Sequence, residues 1–320
     1  MAQPTNTFDT YDAVGNREDL SDIIHNIAPT ETPFWMSLPA GQKATAVRHE
    51  WQTDTLAAAT AANAVIEGDD ATLEAVVPTV RLNNVCQISD KTVVITGTQD
   101  AVNKAGRAKE LTYQVEKKGR ELKRDVESAI CQNGPHLIGN SSTARRLAGF
   151  ETWIHTNQSR GAGGAAAANT NDQPDNNAPP TDGTQRAFSE ANFKSVRQQI
   201  WTQGGDATLT IVGPFNKRAA SAFTGNSTRE IMAGEKKLVS AVDVYVDDYG
   251  TTTFAASRFS RDRSALLIDP EYWALSWLRP IATWPLAKTG DTEKRQILGE
   301  YTLEAREQKS SGIVADLTTS

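Results

Sequence analysis

The chain has 320 residues, of which 38% are hydrophobic and 22% are charged, and its formal net charge is -6. This composition is typical of a globular protein, and the length allows one large or two ordinary domains. The acidic balance argues against a protein whose whole surface binds phosphate backbone, and no apolar run is long enough to cross a membrane. The first residues show no secretion signal, so we expect synthesis in a cytoplasm.

The first 38 residues contain one helical pattern and one aromatic cluster. Apolar residues recur at helical spacing between Asn16 and Pro29, at Leu20, Ile23, Ile24 and Ile27. Phe34, Trp35 and Met36 then lie between two prolines. This cluster is either an anchor that docks on another surface or ordinary core, and the sequence leaves both interpretations open.

Two strand-like segments, residues 43–54 and 74–98, flank a stretch rich in alanine, threonine and asparagine. We expect them to form a long hairpin whose tip covers about residues 56–73. The tip has few large apolar side chains, and a two-stranded ribbon is only marginally stable alone in water. The hairpin is therefore expected to lie against another surface, such as a second subunit.

The strongest helical pattern runs from Asp100, a suitable N-cap, to Gly134, a suitable C-terminal stop. Such a helix would be about 45 Å long. Its apolar stripe is narrow and consists of Leu111, Val115, Leu122, Val126, Ala129 and Ile130. A sustained heptad is missing, so a long helix lying on a sheet is favoured over a coiled coil.

The second half of the chain alternates strands and helices. Residues 159–185 are rich in Gly, Ala, Asn, Asp and Pro, which predicts a surface loop or linker. A helix capped by Ser189, a buried strand within 207–214 and a short helix within 214–225 follow, and this β/α alternation indicates a compact second domain. Several strands separated by turn residues are expected from residue 239 onward.

No motif for catalysis or cofactor binding stands out. The histidines share no metal-ligand spacing, and the acidic clusters lack the spacing of a calcium loop. Cys86 and Cys131 are 45 positions apart, so buried reduced thiols are favoured over a disulfide. We therefore predict no catalytic, cofactor-binding or metal-binding residue, and we expect the chain not to be an enzyme.

Four segments together resemble one known family. They are TYDAVGNREDLSDIIHNIAPTETPFWMSL, HEWQTDTLAAATAANAVIEGDD, RRLAGFETWI and LRPIATWPLAKTGDTEKRQILGEYTLEA. The order of parts is similar to that of the major capsid (major head) proteins of tailed double-stranded DNA bacteriophages, which have the Hong Kong 97-like fold. The resemblance is narrower to the major head protein family typified by phage SU-ten.

The resemblance implies an α+β capsid fold with an N-terminal arm, a projecting hairpin called the E-loop, a peripheral domain with a long spine helix, and an axial domain. The expected ranges are 1–42 for the arm, 43–95 for the E-loop hairpin and its base, 96–144 for the peripheral domain including the spine helix, 145–275 for the axial domain, and 276–320 for C-terminal strands that return to the peripheral domain.

The implied function is self-assembly into hexamers and pentamers of an icosahedral or prolate head around double-stranded DNA, without sequence-specific DNA binding. The expected intersubunit contacts are Phe34, Trp35, Trp51, Leu56, Ala58, Ala61, Ala62, Val65, Ile66 and Glu67. Family members that weld their shells use an E-loop lysine, and here no lysine lies between Lys43 and Lys91. We therefore expect non-covalent overlaps.

Other expected partners are a separate scaffolding protein, a portal and, as an option, a decoration protein; no membrane is expected. The separate scaffold is expected because no long charged helical leader precedes the arm. Two other classes remain open. One is a different structural virion protein of the decoration, tail or surface-array kind, and the other is an enzyme that uses the β/α part at residues 189–225.

Overall fold

The computed structural model describes residues 30–71, 73, 75–104, 106, 108–223 and 243–320. The predicted helix between Asn16 and Pro29 and most of the predicted N-terminal arm lie outside these residues. The helices in the described part of the chain are α1 (Pro33–Ser37), α2 (Gly97–Ala101), α3 (Glu110–Cys131), α4 (Phe150–Trp153), α5 (Glu190–Thr202) and α6 (Pro214–Ser221).

The strands form two main sheets and two short ribbons. They are β1 (Arg48–Thr53), β2 (Val80–Val85), β3 (Gln87–Thr96), β4 (Gln158–Ser159), β5 (Asn169–Thr170), β6 (Gln173–Pro174), β7 (Leu209–Val212), β8 (Val244–Asp247), β9 (Gly250–Ala256), β10 (Ala265–Ile268), β11 (Trp273–Pro285), β12 (Thr292–Ala305) and β13 (Gly312–Val314).

An antiparallel three-stranded sheet, in the order β11-β12-β3, carries the long helix α3. An ion pair of 2.6 Å joins Lys91 of β3 to Asp125 of α3. On the buried side of the helix, Leu122, Val126 and Ile130 are each 1% exposed or less. The prediction of a long helix lying on a sheet is therefore confirmed.

The predicted start of the long helix is wrong. Thr96 caps the separate short helix α2, and α3 begins only at Glu110 and has 22 residues, about 33 Å at the usual rise. Gly106, between the two helices, has a φ of +75°, which breaks the helical path. Asp100 still serves α3, because its carboxylate accepts a hydrogen bond from the Glu110 N–H at 3.1 Å.

The six-stranded sheet has the order β4-β13-β10-β7-β9-β8, with the β13-β4 and β7-β9 pairs parallel and the others antiparallel. Helix α5 packs on β13 and β4, and the Ser189 side chain accepts a hydrogen bond from the Asn192 N–H, as expected of an N-cap. The predicted β/α alternation and the later strands are confirmed in the described residues.

The expected domain ranges stay a prediction, and two of them contain strands that pair in different sheets. The range 43–95 includes β3, yet β3 pairs with β12, so the hairpin of β1 and β2 ends at Val85. The range 276–320 includes β13, which pairs with β10 and β4 in the six-stranded sheet. The last strand of the chain therefore does not return to the three-stranded sheet.

One hydrophobic core joins the two sheets. It contains buried residues of α1, α3 and α4 together with residues of both sheets, among them Phe150, Trp273, Leu266 and Leu303. The rings of Phe150 and Trp273 are 4.5 Å apart. A second core around Phe193 lies under α5. Because the first core belongs to both sheets, the two parts of the chain support each other and form one body.

Candidate functional site

The hairpin of β1 and β2 projects a long segment, residues 54–79, which we call the projecting loop. Its base is regular, with Arg48 opposite Val85 and Thr53 opposite Val80, so the predicted hairpin is confirmed. Beyond the base, the Thr79 hydroxyl still donates to Gln52 across the hairpin at 3.2 Å. Farther out, the described hydrogen bonds are local, such as those from the Ala62 N–H to Thr60 and from the Asp69 N–H to the Ile66 carbonyl.

The projecting loop exposes apolar side chains. Leu56 is 98% exposed and Val65 is 86% exposed, whereas large aliphatic side chains are usually buried in a folded protein. The other loop residues predicted to contact a neighbour are also exposed, namely Ala58, Ala61, Ala62, Ile66 and Glu67. The structure thus brings these predicted residues together on one accessible segment.

Sequence reasoning missed three exposed apolar residues on the returning half of the loop. Leu73 was expected in the tip but not among the contacts, and Val76 and Val77 were expected in the strand-like segment 74–98; all three precede β2 and are largely exposed. Pro78 is the signal that could have found them, because proline cannot donate to a strand ladder. These residues extend the candidate contact surface along both halves of the loop.

The projecting hairpin holds an unusual share of the charge. Residues 49–80 contain six acidic residues and neither lysine nor arginine, which equals the whole formal net charge of -6. The remainder of the chain is balanced between acidic and basic residues. A surface that receives this hairpin should therefore be neutral or basic, because like charges brought together without solvent are costly.

The aromatic residues predicted as intersubunit contacts have partners inside their own chain. Phe34 is fully buried and packs edge-on against Phe150, with ring centroids 5.6 Å apart. Its prediction as a neighbour contact is wrong, because the core of its own chain already encloses the side chain. The interpretation of this cluster as ordinary core holds for Phe34.

Trp35 and Trp51 are half-buried. Trp35 packs against Trp277 at 5.7 Å, and the Trp51 indole N–H donates to the Ala305 carbonyl at 2.8 Å. Their role as intersubunit contacts stays a prediction, and it concerns only the surface that these intramolecular contacts leave open.

The segment around Phe34 is anchored by a buried carboxylate. The Phe34 and Trp35 N–H groups donate to the two oxygens of Glu127 at 2.9 and 2.8 Å. Burial raises the pKa of the Glu127 carboxyl, although these two hydrogen bonds act in the opposite direction. The first described helical turn of the chain is thereby fixed to the C-terminal part of α3.

The two cysteines are packing residues and not reactive groups. Cys86 and Cys131 are free and buried, as predicted. Burial raises the pKa of the Cys86 thiol to about 11 and that of Cys131 well above its ordinary value, so neither thiol is set up as a nucleophile. Among the described residues, no group of three or more His, Cys, Asp or Glu side chains could hold a metal ion.

The helices of the described ranges bear on whether the chain could span a membrane. None of them combines the length and the apolar character needed to cross a bilayer.

The sequence of the chain is similar to those of known capsid proteins. The family model described as SU10 major capsid protein matches residues 3–318. The major capsid protein of Escherichia phage Phieco32 is 28% identical over 346 residues, covering 98% of this chain and 97% of that protein.

Solved structures extend the likeness to the fold. The Cyanophage A-1(L) capsid asymmetric unit has a TM-score of 0.64 at 12% identity, covering 98% of this chain and 99% of that one. The bacteriophage PhiM1 mature capsid has a TM-score of 0.61 at 12% identity, covering 98% of both chains. At such identities the likeness concerns the fold alone, and it confirms the predicted Hong Kong 97-like α+β class.

Proposed function

Because the chain belongs to the SU10 major capsid protein family, we propose that it builds the head as hexamers and pentamers, in an icosahedral or prolate shell around double-stranded DNA. It is a major capsid protein and therefore a structural component of the virion. Each interface must close by rotational symmetry, since a contact that does not close would produce open fibres.

The observation that carries the proposal is the projecting loop. Within the part of the chain that the structure describes, its apolar side chains remain uncovered, and Leu56, Val65 and Leu73 are each at least 86% exposed. Packing these side chains on a neighbouring subunit would remove apolar surface from water. It would also give hydrogen-bond partners to the backbone of the described loop residues, which form no strand. We propose that residues 56–67 and 73–77 are the loop's contacts in the shell.

We propose that these overlaps are non-covalent. No lysine lies between Lys43 and Lys91, so the projecting loop has no amine that could form an amide bond with a neighbouring side chain. The small side chains of Ala58, Ala61 and Ala62 allow the backbone to approach a neighbouring surface closely. Shape, apolar burial and backbone hydrogen bonds are therefore the proposed sources of cohesion.

The remaining partners are proposed on the family relationship. They are a separate scaffolding protein, a portal and, as an option, a decoration protein. The packaged DNA would meet the shell without sequence-specific contacts, and the chain would be made in the host cytoplasm, act without a membrane and have no catalytic role.

Electron microscopy of the purified chain, alone and together with a co-expressed scaffolding protein, tests the proposal. Closed shells are the expected result. Tubes or planar lattices would favour a tail or surface-array protein, and a chain that stays monomeric under both conditions would contradict the proposal. Denaturing electrophoresis of the particles should give one band near 34.7 kDa, whereas a ladder of heavier bands would contradict the non-covalent overlaps.

A further inference from the structure

The glycine-rich segment at residues 159–185, which composition predicts as a surface loop or linker, has a narrow neck in the structure. Ala165 and Thr181 exchange two backbone hydrogen bonds, of 3.0 and 2.9 Å, where the outgoing and returning halves of the segment meet. We call residues 161–165 and 181–184 the neck. The segment therefore leaves the end of β4 and returns through one point.

One carboxylate lies at the centre of this neck. Asp316 is 1% exposed. Its Oδ2 accepts a hydrogen bond from the Gly161 N–H at 3.0 Å, and its Oδ1 accepts one from the Gly183 N–H at 2.7 Å. An Nη atom of Arg263 lies 3.2 Å from the same Oδ1. One side chain thus holds an N–H group from each half of the neck.

The close approach of the neck to this carboxylate requires glycine at two positions. A Cβ at Gly164 would collide with the Asp316 carboxylate. A Cβ at Gly183 would lie 2.6 Å from the Gly164 nitrogen, which is closer than atoms without a bond can approach. The glycines that composition assigns to a flexible linker are therefore required for packing here.

Asp316 is in turn fixed to the six-stranded sheet, because it follows β13 by two positions. The Ala315 N–H donates to the Ser159 carbonyl at 2.8 Å, and the Asp316 carbonyl accepts from the Arg186 N–H at 2.7 Å. Leu317, the next residue, is fully buried in the second core. The carboxylate therefore connects the neck to the core of the molecule.

A second carboxylate in the neck offers a comparison. Asp182 forms ion pairs with Arg261 and, at 3.3 Å, with Arg263, which it shares with Asp316. No glycine N–H of the described neck donates to Asp182, and its side chain is 36% exposed. Exposed ion pairs contribute little to stability, so Asp182 should add charge to this region without closing the neck.

We propose that the Asp316 carboxylate is a latch that closes the neck and holds the glycine-rich segment in one conformation in the isolated subunit. The latch removes conformational freedom before association, and a pre-organised surface loses less entropy when it binds a neighbour. It is a property of the single subunit, so it does not depend on shell formation.

Hydrogen–deuterium exchange of the full-length chain, at concentrations where sedimentation shows a monomer, tests the latch. The variant Asp316→Asn keeps the size of the side chain and tolerates the φ of +59° at this position. An amide group has one acceptor oxygen, so either Gly161 or Gly183 would lose its acceptor. Amides of the neck should exchange at least about tenfold faster than in the wild type.

Asp182→Asn is the matched control, and its neck amides should exchange within about twofold of the wild-type rate. Gly164→Ala opens the neck in a second way, because it leaves the carboxylate unchanged and places a methyl group against it. This variant should also exchange at least about tenfold faster. Amides of β10 should stay protected in all three variants and thereby report that the six-stranded sheet is intact.

Three results would overturn the proposal: wild-type neck amides that exchange at the rate of an unfolded chain, exchange that Asp316→Asn leaves unchanged, or an equal increase in Asp182→Asn. If β10 loses protection in Asp316→Asn, Gly164→Ala decides. Either an unchanged neck or a loss of β10 protection in that variant would then overturn the latch. Protection that increases with protein concentration would show that a neighbouring subunit orders the neck, and would also overturn it.

Discussion

The projecting loop and the rest of the described chain, which we call the body, differ in how much of the same residue type they expose. Leu56 in the loop is 98% exposed, whereas Leu266 in the six-stranded sheet is fully buried in the core between the sheets. The acidic residues of 49–80 have no basic residue among them, while those of the body are balanced by lysine and arginine. In the described residues, the body thus buries most of its large apolar side chains within one chain, whereas the loop leaves its own exposed.

This difference indicates that the loop has apolar surface left to bury on assembly. Burying one exposed Val, Leu or Ile side chain against a neighbour stabilises by about 1.5–3 kcal/mol, and the loop offers several such side chains. The loop therefore contributes little to the fold of the subunit and should contribute to its association.

The largest expected effect is on assembly. Replacing Ala58, Ala61 and Ala62 together by glutamate should abolish shell formation, because it adds three charges and bulk to a surface that we propose packs closely against a neighbour. The free energy of unfolding of the subunit should change by less than about 0.5 kcal/mol, since all three residues are exposed. Electron microscopy and urea denaturation measure the two effects.

Replacing the same three alanines by serine is the matched control. Serine is small and uncharged, so we expect shells to form. Normal shells from the glutamate variant would show that this part of the loop is not a contact. They would also contradict the proposal that the loop contributes to association.

Two matched leucine substitutions test the comparison on stability. Leu266→Ala should lower the free energy of unfolding by about 2–5 kcal/mol, because it removes buried contacts and leaves a cavity. Leu56→Ala should change it by less than about 0.5 kcal/mol, because this side chain is already in water. Urea denaturation of both variants decides the point, and equal losses would mean that the loop packs on its own subunit.

Much of the fold could be predicted from local patterns. The helix after Ser189 and the strand at 209–212 follow directly from a capping residue and a short apolar run. The start of α3 could not be predicted in the same way. Residues 102–109 contain no strong helix breaker except Gly106, so the helical pattern in the sequence is continuous. The hydrogen bond from the Glu110 N–H to the Asp100 carboxylate at the start of α3 is not visible in that pattern.

The sequence predicted a projecting loop at this position, but its prediction of Phe34 as an intersubunit contact was wrong. Exposed small residues after a strand indicate a projection, but an aromatic residue beside prolines fits core and interface equally well. Phe34 is core because Glu127, 93 positions later, holds its backbone against α3. Such a long-range contact is set by the tertiary fold, and no pattern around Phe34 contains it.

The anchor itself provides the next expected effect. Glu127→Ala should lower the free energy of unfolding by about 1–3 kcal/mol, because two buried N–H groups lose their acceptor. Glu116→Ala is the matched control on the same helix, since its side chain is 62% exposed and its ion pair with Arg120 should contribute less than about 1 kcal/mol. Urea denaturation measures both, and equal losses would contradict the role of Glu127 as an anchor.

The smallest expected effect concerns a segment that resembles the loop in composition and belongs to the body. Residues 159–185 are rich in glycine, alanine and asparagine, yet the Gly161 and Gly183 N–H groups donate to the buried Asp316 carboxylate at 3.0 and 2.7 Å. Asp172 lies 2.8 Å from the His155 ring and 3.6 Å from the Lys309 ammonium. The His155 hydrogen bond, together with Lys309, holds the pKa of Asp172 below its ordinary value.

A lowered folded-state pKa means that Asp172 stabilises the fold above about pH 3.8, its ordinary pKa, and that this contribution is lost as the pH falls through the folded-state pKa. Asp172→Asn should therefore be less stable than the wild type at pH 7, by less than about 1 kcal/mol because the site is partly exposed. Asparagine tolerates the φ of +66° at this position, so the backbone should be retained. The difference should become smaller in acid, as urea denaturation at pH 7 and pH 3 can measure. A difference of the same size at both pH values would show that charge does not tie this segment to the body.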